Sequence, residues 1–313
     1  MVTIGIDLGG TNIVAGVVDE QYRIIASATC KTKAQRPADA IVDDMVRVSR
    51  EAVEKAGLTM DDVTYVGVGA PGTCNADSGV VEYANNLPFH NLPLKSMMND
   101  RMGKPIYIEN DANAAAWGEF KAGAAKGAAS CVCVTLGTGV GGGIVLDGKI
   151  YDGFNFAGAE IGHTVIMRDG EPCTCGRKGC WEAYASATAL IRQTRAAMQR
   201  HPDSNMWDLA GSLQGANGLT AFDAMRAGDA AGKAVVEAYI DYVAVGVINM
   251  INIFQPEVVC IGGGVSKEGE TLLAPMREKI ERERYSRYSA RQSKLCAATL
   301  GNDAGVIGAA CLG

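Results

Sequence analysis

Two stretches of this chain, 128 residues apart, repeat one pattern, and that repeat limits the possible folds more than any other feature. Ile4, Ile6, Leu8, Gly9, Val17, Val18 and Asp19 recur as Val132, Val134, Leu136, Gly137, Val145, Leu146 and Asp147. Each copy alternates apolar residues, breaks into a Gly/Thr-rich turn, resumes the alternation and ends on a turn containing Asp, which reads as a β-hairpin. A hairpin repeated at this distance points to two related α/β domains facing each other across a cleft. A length of 313 residues is enough to give each domain its own core.

The rest of the chain reads as α/β as well. Residues 2–6, 13–18, 22–29, 64–69 and 106–108 are predicted strands, and Pro37 opens a helix that stops at Gly57. Asp111 stands at the start of a helix that runs to about Lys121, and residues 85–88 are a loop. Beyond the second hairpin the predicted order is a helix at 186–200, helical segments with polar breaks to about Ala231, and a long helix at 235–254. A strand at 257–261, a charged helix at 272–284, a strand at 295–299 and a closing helix from Ala304 complete the chain.

Composition excludes several classes. The chain is 48% hydrophobic and 20% charged, ordinary for a soluble enzyme. Its net charge is −6 with no basic run, so it lacks the electrostatic footprint of a nucleic-acid binder. Residues 234–254 are apolar, but Glu237, Asp241, Asn249 and Asn252 interrupt them, which suits a buried helix better than a membrane span. No signal peptide precedes the first strand, and ten cysteines without one imply free thiols and a metal in a reducing compartment. The cytoplasm is the expected location. Cys131 and Cys133, which alternate within a strand, are expected in the core.

The remaining cysteines give the sharpest chemical signal. Within residues 158–182, His163, Cys173, Cys175 and Cys180 offer one imidazole and three thiolates in a segment too polar and Gly-rich to be core. That set satisfies a tetrahedral Zn²⁺ and leaves no open position for a substrate, so the metal's role is structural. A loop stapled in this way can aim two carboxylates, Glu160 and Glu182, at one small molecule.

Two glycine-rich turns follow strands, at 7–11 (DLGGT) and 136–143 (LGTGVGGG). Bare backbone N–H groups approach phosphate oxygens closely, and threonine hydroxyls add donors. Gly137, Gly139 and Gly142 match G-x-G-x-x-G, but a strand follows where a dinucleotide site needs a helix. A Walker A sequence is absent. As a pair, the turns read as a clamp on a polyphosphate. Asp7, at a strand end, can hold Mg²⁺ through water, or cap its own turn. Asp111 is expected to be kept ionised by the helix dipole, as suits a proton acceptor, with a plain N-cap as the alternative. Residues 262–266 offer bare backbone suited to a flat adenine.

DLGGT, Glu109-Asn110-Asp111, LGTGVGGG, GAEIGH and C-x-C-G-x-x-G-C-x-E together closely resemble the ROK family of repressors, uncharacterised reading frames and sugar kinases, over essentially the full length. Within it the chain is most similar to the bacterial ATP-dependent glucokinases. The resemblance implies the two-domain, actin-like (hexokinase-type) ATPase fold with an interdomain cleft and a zinc-stapled loop. It implies a small domain at 1–118 plus 297–313 and a large one at 119–296. Asp111 would then be the general base toward a sugar 6-hydroxyl, and Asn110, Glu160, His163 and Glu182 would bind other hydroxyls, with Asn86 nearby. His163 would give one ring nitrogen to zinc and turn the other face to the sugar. Asp7 would organise Mg²⁺; Gly9, Gly10, Thr11, Thr138 and Gly139 would line the ATP phosphates, and Gly263 and Gly264 would border the adenosine. Phe89 stands where many relatives carry tryptophan, a departure at the edge of the sugar pocket.

The expected reaction is phosphoryl transfer from ATP to an aldohexose, glucose first, with N-acetylmannosamine, N-acetylglucosamine, allose or fructose as other acceptors. A homodimer or tetramer is expected. A sugar-responsive repressor of the same family would need a DNA-binding module ahead of the core, and DLGGT already begins at residue 7. A nucleotide switch of the actin type would need neither Glu160 nor Glu182.

Overall fold

The structure, a computed structural model, describes residues 1–313. The chain opens with β1 (Val2–Leu8), β2 (Asn12–Val18) and β3 (Ile24–Lys31), an antiparallel run, followed by α1 (Ala38–Lys55). β4 (Val63–Ala70) leads into three short strands, β5 (Thr73–Asn75), β6 (Val80–Tyr83) and β7 (His90–Leu92). Next come α2 (Leu94–Met102), β8 (Ile106–Asn110) and α3 (Asp111–Lys121), then β9 (Cys131–Leu136), β10 (Val140–Leu146) and β11 (Lys149–Ile150). After a long loop the chain is mostly helical, with α4 (Glu182–Ala185), α5 (Ala187–Arg200), α6 (Met206–Ala210), α7 (Thr220–Arg226) and α8 (Ala230–Phe254). It closes with β12 (Val258–Gly262), α9 (Glu270–Glu283), β13 (Lys294–Ala297) and α10 (Ala304–Ala309).

Two five-stranded sheets have matching orders, β3-β2-β1-β4-β8 and β11-β10-β9-β12-β13. In the first, β1 pairs β2 antiparallel and β4 parallel; in the second, β10 pairs β11 antiparallel and β12 pairs β13 parallel. The repeat read from sequence is therefore also a repeat of topology. By contacts the chain divides into two compact units, residues 1–133, 142–159 and 298–313 in one and residues 134–141 and 160–297 in the other.

In the first unit, Ile4, Ile6 and Leu8 are fully buried, as are Ile41, Met45 and Val48 on one face of α1. Burying each such side chain contributes about 1.5–3 kcal/mol. Gly5 and Gly67 let α10 lie directly on β1 and β4: a Cβ at either would strike the backbone carbonyl of Val306 or Ala309. Phe89 is fully buried in this core.

The second unit is built around α8. The helix is long and apolar enough to cross a membrane, yet 61% of its most apolar window is buried inside the fold. Val236, Tyr239, Ile240, Val243, Val247 and Ile251 form its buried stripe, and it packs on α4, α5, α7 and α9. Tyr239 donates its hydroxyl to the Ala185 carbonyl at 2.7 Å. Asp229 caps it by accepting from Gly232 N–H at 2.6 Å, so it starts five residues before the expected Val235.

The structure corrects two other expectations. β3 begins at Ile24, not Tyr22, because the Asp19 carboxylate accepts the N–H groups of Gln21 and Arg23 at 2.9 Å and prolongs the turn. The three-stranded sheet β5-β6-β7 and helix α2 were not expected at all.

Candidate active site

Strand β8 delivers Glu109, Asn110 and Asp111 to the start of α3. The helix cap is Asn110, not Asp111: the Asn110 Oδ1 accepts from Ala112 N–H at 2.9 Å and Asn113 N–H at 3.2 Å. Its amide also donates to the Gly72 carbonyl at 3.0 Å, which locks the side chain. Behind it, the buried Glu109 accepts from Asn110 N–H at 2.8 Å and from the Asn113 amide at 3.0 Å. Asp111 is thereby released from capping, though its own Oδ1 accepts from Ala112 N–H at 2.9 Å.

Burial pushes the Asp111 carboxyl above its ordinary range, against the lowering effect of that N–H. The helix dipole and free N–H groups expected to favour the ionised form are opposed here by removal from water, which sets the direction of the shift. Asp7, at the end of β1, is pushed up to about 6, first by burial and then by the charge of Asp111. A Cβ on Gly305, in α10, would stand 2.9 Å from the Asp7 carboxylate. The two acids are therefore neighbours within the first unit, with the start of α10 against Asp7.

Close by in the same unit is the first glycine-rich turn. Gly9 N–H donates to the Asn12 carbonyl at 2.9 Å and the Thr32 hydroxyl to the Gly9 carbonyl at 2.7 Å. Gly10, Thr11 and Asn86 are exposed, and a Cβ on Gly10 would lie 3.5 Å from that of Asn86.

In the second unit the loop from Glu160 to Cys180 folds back on itself. Ile166 N–H donates to the Gly179 carbonyl at 2.9 Å, and Cys173 N–H to the Arg177 carbonyl at 2.9 Å. Gly179, with φ 79°, lies so close to Met167 that a Cβ would collide with its carbonyl. The result gathers His163, Cys173, Cys175 and Cys180, whose donor atoms all lie within 4.8 Å of one another.

Tetrahedral zinc imposes S···S edges of about 3.8 Å and S···N edges of about 3.5 Å, from its usual bond lengths. Cys175 and Cys180 sulfurs are 3.7 Å apart, and Cys173 Sγ is 3.5 Å from His163 Nδ1. The donor set fits one tetrahedral metal ion. Burial pushes the Cys180 thiol up to about 12, and thiolates this close repel one another, so a cation is what can hold the cluster ionised. With Nδ1 turned to the cluster, Nε2 is the ring nitrogen left for another partner.

Glu160 is exposed at the start of this loop, set by Ala159 at φ 63°. Glu182 is at the start of α4, where its Oε2 accepts from Val140 N–H at 3.1 Å. A Cβ on Gly162 would collide with the Val140 carbonyl, so the metal loop rests on the second glycine-rich turn. Thr138 is exposed in that turn, beside Gly139. Gly263, with φ 85°, packs bare against the backbone of Leu136 at the root of the same turn, and the exposed Gly264 follows it.

The expected residues thus form two sets: Asp7, Gly9, Gly10, Thr11, Asn86, Asn110 and Asp111 in the first unit, and the remaining ten in the second. The sequence reading missed Glu109 and Asn113 as supports of Asp111, although their i, i+4 spacing across a helix start was visible. It also missed Trp181, fully buried between Cys180 and Glu182, whose indole N–H donates to the Tyr242 carbonyl at 2.9 Å.

The sequence model of the ROK family matches residues 3–313. A glucokinase from Thermotoga maritima is 38% identical over 98% of this chain and 95% of its own length. A xylose repressor from Caldicellulosiruptor bescii is 31% identical over 90% of this chain and 70% of its own length. Among solved structures, a ROK family glucokinase from Streptomyces griseus, in complex with glucose and AMPPNP, superposes with a TM-score of 0.83 at 38% identity. That match covers 100% of this chain and 99% of the other.

Proposed function

This chain belongs to the ROK family, and on that premise we propose that it is an ATP-dependent hexose kinase that phosphorylates the 6-hydroxyl of glucose. One observation carries the reading: Asp111, freed from capping by Asn110, is a largely buried carboxylate whose raised proton affinity suits a base. As O6 attacks the γ-phosphorus, Asp111 takes its proton, the bond from phosphorus to the bridging oxygen breaks, and ADP leaves with the electron pair. Little else is asked of the protein beyond positioning and charge stabilisation.

The other residues supply that positioning. Asn110, Glu160, His163 and Glu182 bind sugar hydroxyls, with Asn86 at the edge. Gly9, Gly10, Thr11, Thr138 and Gly139 present N–H and hydroxyl donors to the phosphates, and Gly263 and Gly264 border the adenosine. Asp7 holds a Mg²⁺ whose charge offsets that of the phosphates. Zn²⁺ on His163, Cys173, Cys175 and Cys180 fixes the loop that carries Glu160 and Glu182. A cytoplasmic location and a homodimer or tetramer belong to the proposal, both of them expectations from the family resemblance and the free cysteines.

The test is a coupled assay with Mg²⁺ and ATP across glucose, mannose, fructose, allose, N-acetylglucosamine and N-acetylmannosamine, for the wild type and Asp111→Asn. Glucose should give the highest kcat/KM, and the variant should lose about 10²–10⁴-fold in kcat, the usual worth of a positioned base. Its affinity for ADP should hold. Preference for an N-acetylated sugar would move the substrate within the class; no transfer to any hexose would reject the reading.

A further inference from the structure

Three hydrogen bonds tie the second glycine-rich turn to the chain leaving the metal loop, all within the second unit. Val140 N–H donates to Glu182 Oε2 at 3.1 Å, Ala187 N–H to the Gly137 carbonyl at 2.8 Å, and the Thr188 hydroxyl to the Thr138 carbonyl at 2.8 Å. Ala187 and Thr188 form the first turn of α5, which is itself anchored: Ser186 caps it by accepting from Ala189 N–H at 3.0 Å. Leu190 and Thr194 are fully buried one and two turns on. The turn therefore hangs from a rigid support.

The direction of these bonds matters more than their number. A peptide unit is planar and trans, so its carbonyl and the following N–H point opposite ways. Holding the Gly137 carbonyl toward Ala187 sends Thr138 N–H away from α5. Holding the Thr138 carbonyl toward Thr188 does the same for Gly139 N–H. Left to itself, a stretch rich in glycine would populate many orientations of these two groups. Only some of them converge on an anionic oxygen.

We infer that Thr188 is a positioning residue for the nucleotide: its hydroxyl sets the Thr138–Gly139 peptide so that the N–H faces the phosphates. The inference rests on the kinase reading, since it assigns that turn to ATP. Among the three bonds, this one alone comes from a side chain outside the sugar, phosphate and metal sets. Thr188 is exposed, so replacing it leaves the core untouched.

The experiment compares wild type, Thr188→Val and Thr188→Ser in their metal-loaded form. Mg²⁺-ADP is titrated calorimetrically without hexose, alongside glucose KM and bound metal. Thr188→Val keeps the shape and loses the donor; its Kd for ADP should rise about two- to tenfold, the range for one hydrogen bond. Glucose KM and metal content should stay unchanged, and Thr188→Ser, which keeps the hydroxyl, should bind ADP as the wild type does. Unchanged ADP affinity in Thr188→Val overturns the inference, as does an equal loss in Thr188→Ser or a loss shared with glucose KM and metal. If wild type binds ADP and phosphorylates glucose while Thr188→Val is silent, only this inference falls. Wild-type protein that binds no ADP removes the kinase reading and this inference with it.

Discussion

Asp7 and Asp111 are two carboxylates that burial pushes toward the protonated form, and the charge of Asp111 adds to the effect on Asp7. Asp7 has a pKa of about 6 in the fold against an ordinary value near 3.8. Below 3.8 both folded and unfolded chains carry the proton and stability is unaffected. Between 3.8 and 6 the folded state binds the extra proton, so stability falls as pH rises, and above 6 the full cost of a buried carboxylate remains. That cost is on the order of 3 kcal/mol. Asp7→Asn should therefore melt several degrees above wild type at pH 8, without nucleotide or Mg²⁺, and the gain should vanish at pH 3.5. Equal melting at pH 8 would show that Asp7 carries no such strain. Both positions were legible in sequence, one at a strand end and one at a helix start. Their protonation was not, because a helix start argues for a lowered pKa, and burial, which wins, is a property of the packed chain. The cap, which the sequence left open as an alternative role for Asp111, falls to Asn110: both are good capping residues, and only the backbone decides between them.

Elements were legible where their pattern was long or repeated. Both hairpins, α1, α3, α5 and α8 fall close to their expected places, since apolar periodicity and caps act locally. The sheet β5-β6-β7 escaped because its strands are three or four residues long, and α2 because it follows Pro93 without a side-chain cap. Helix α8 also carries a contact no local pattern could announce. Gly246 faces Trp181, and a Cβ there would land on the indole ring. In an ordinary helix interior Gly→Ala gains up to about 1 kcal/mol. Here the sign should reverse, because Trp181 is the residue between Cys180 and Glu182. Gly246→Ala should lower the melting temperature, speed metal loss to a chelator and raise glucose KM. A variant as stable as wild type, with metal held as tightly, would rule out the Trp181 contact as the support of the loop.

For the whole molecule, the two related sheets were legible through the hairpin repeat, and the gathering of His163 with three cysteines through their spacing in a segment unfit for a core. Neither derivation needed long-range contacts. What binds each unit together does need them, as with α10 on β1 and β4 at the bare Gly5 and Gly67. All four metal donors lie in residues 160–297, and so do Glu160, Glu182 and Thr188, which the loop and its continuation carry. None of these four donors belongs to the core of the first unit, from Ile4 to Ile108. Metal removal should therefore act on one part of the chain. Purified protein should contain one zinc per chain. After chelation, amide exchange should accelerate across 160–182 and 137–140, while β1, β4 and β8 keep their protection. Glucose affinity should fall sharply in the same sample and return when zinc is restored. Exchange that rises equally along the whole chain would mean that the ion holds up the global fold, and exchange that rises nowhere would deny it any structural part.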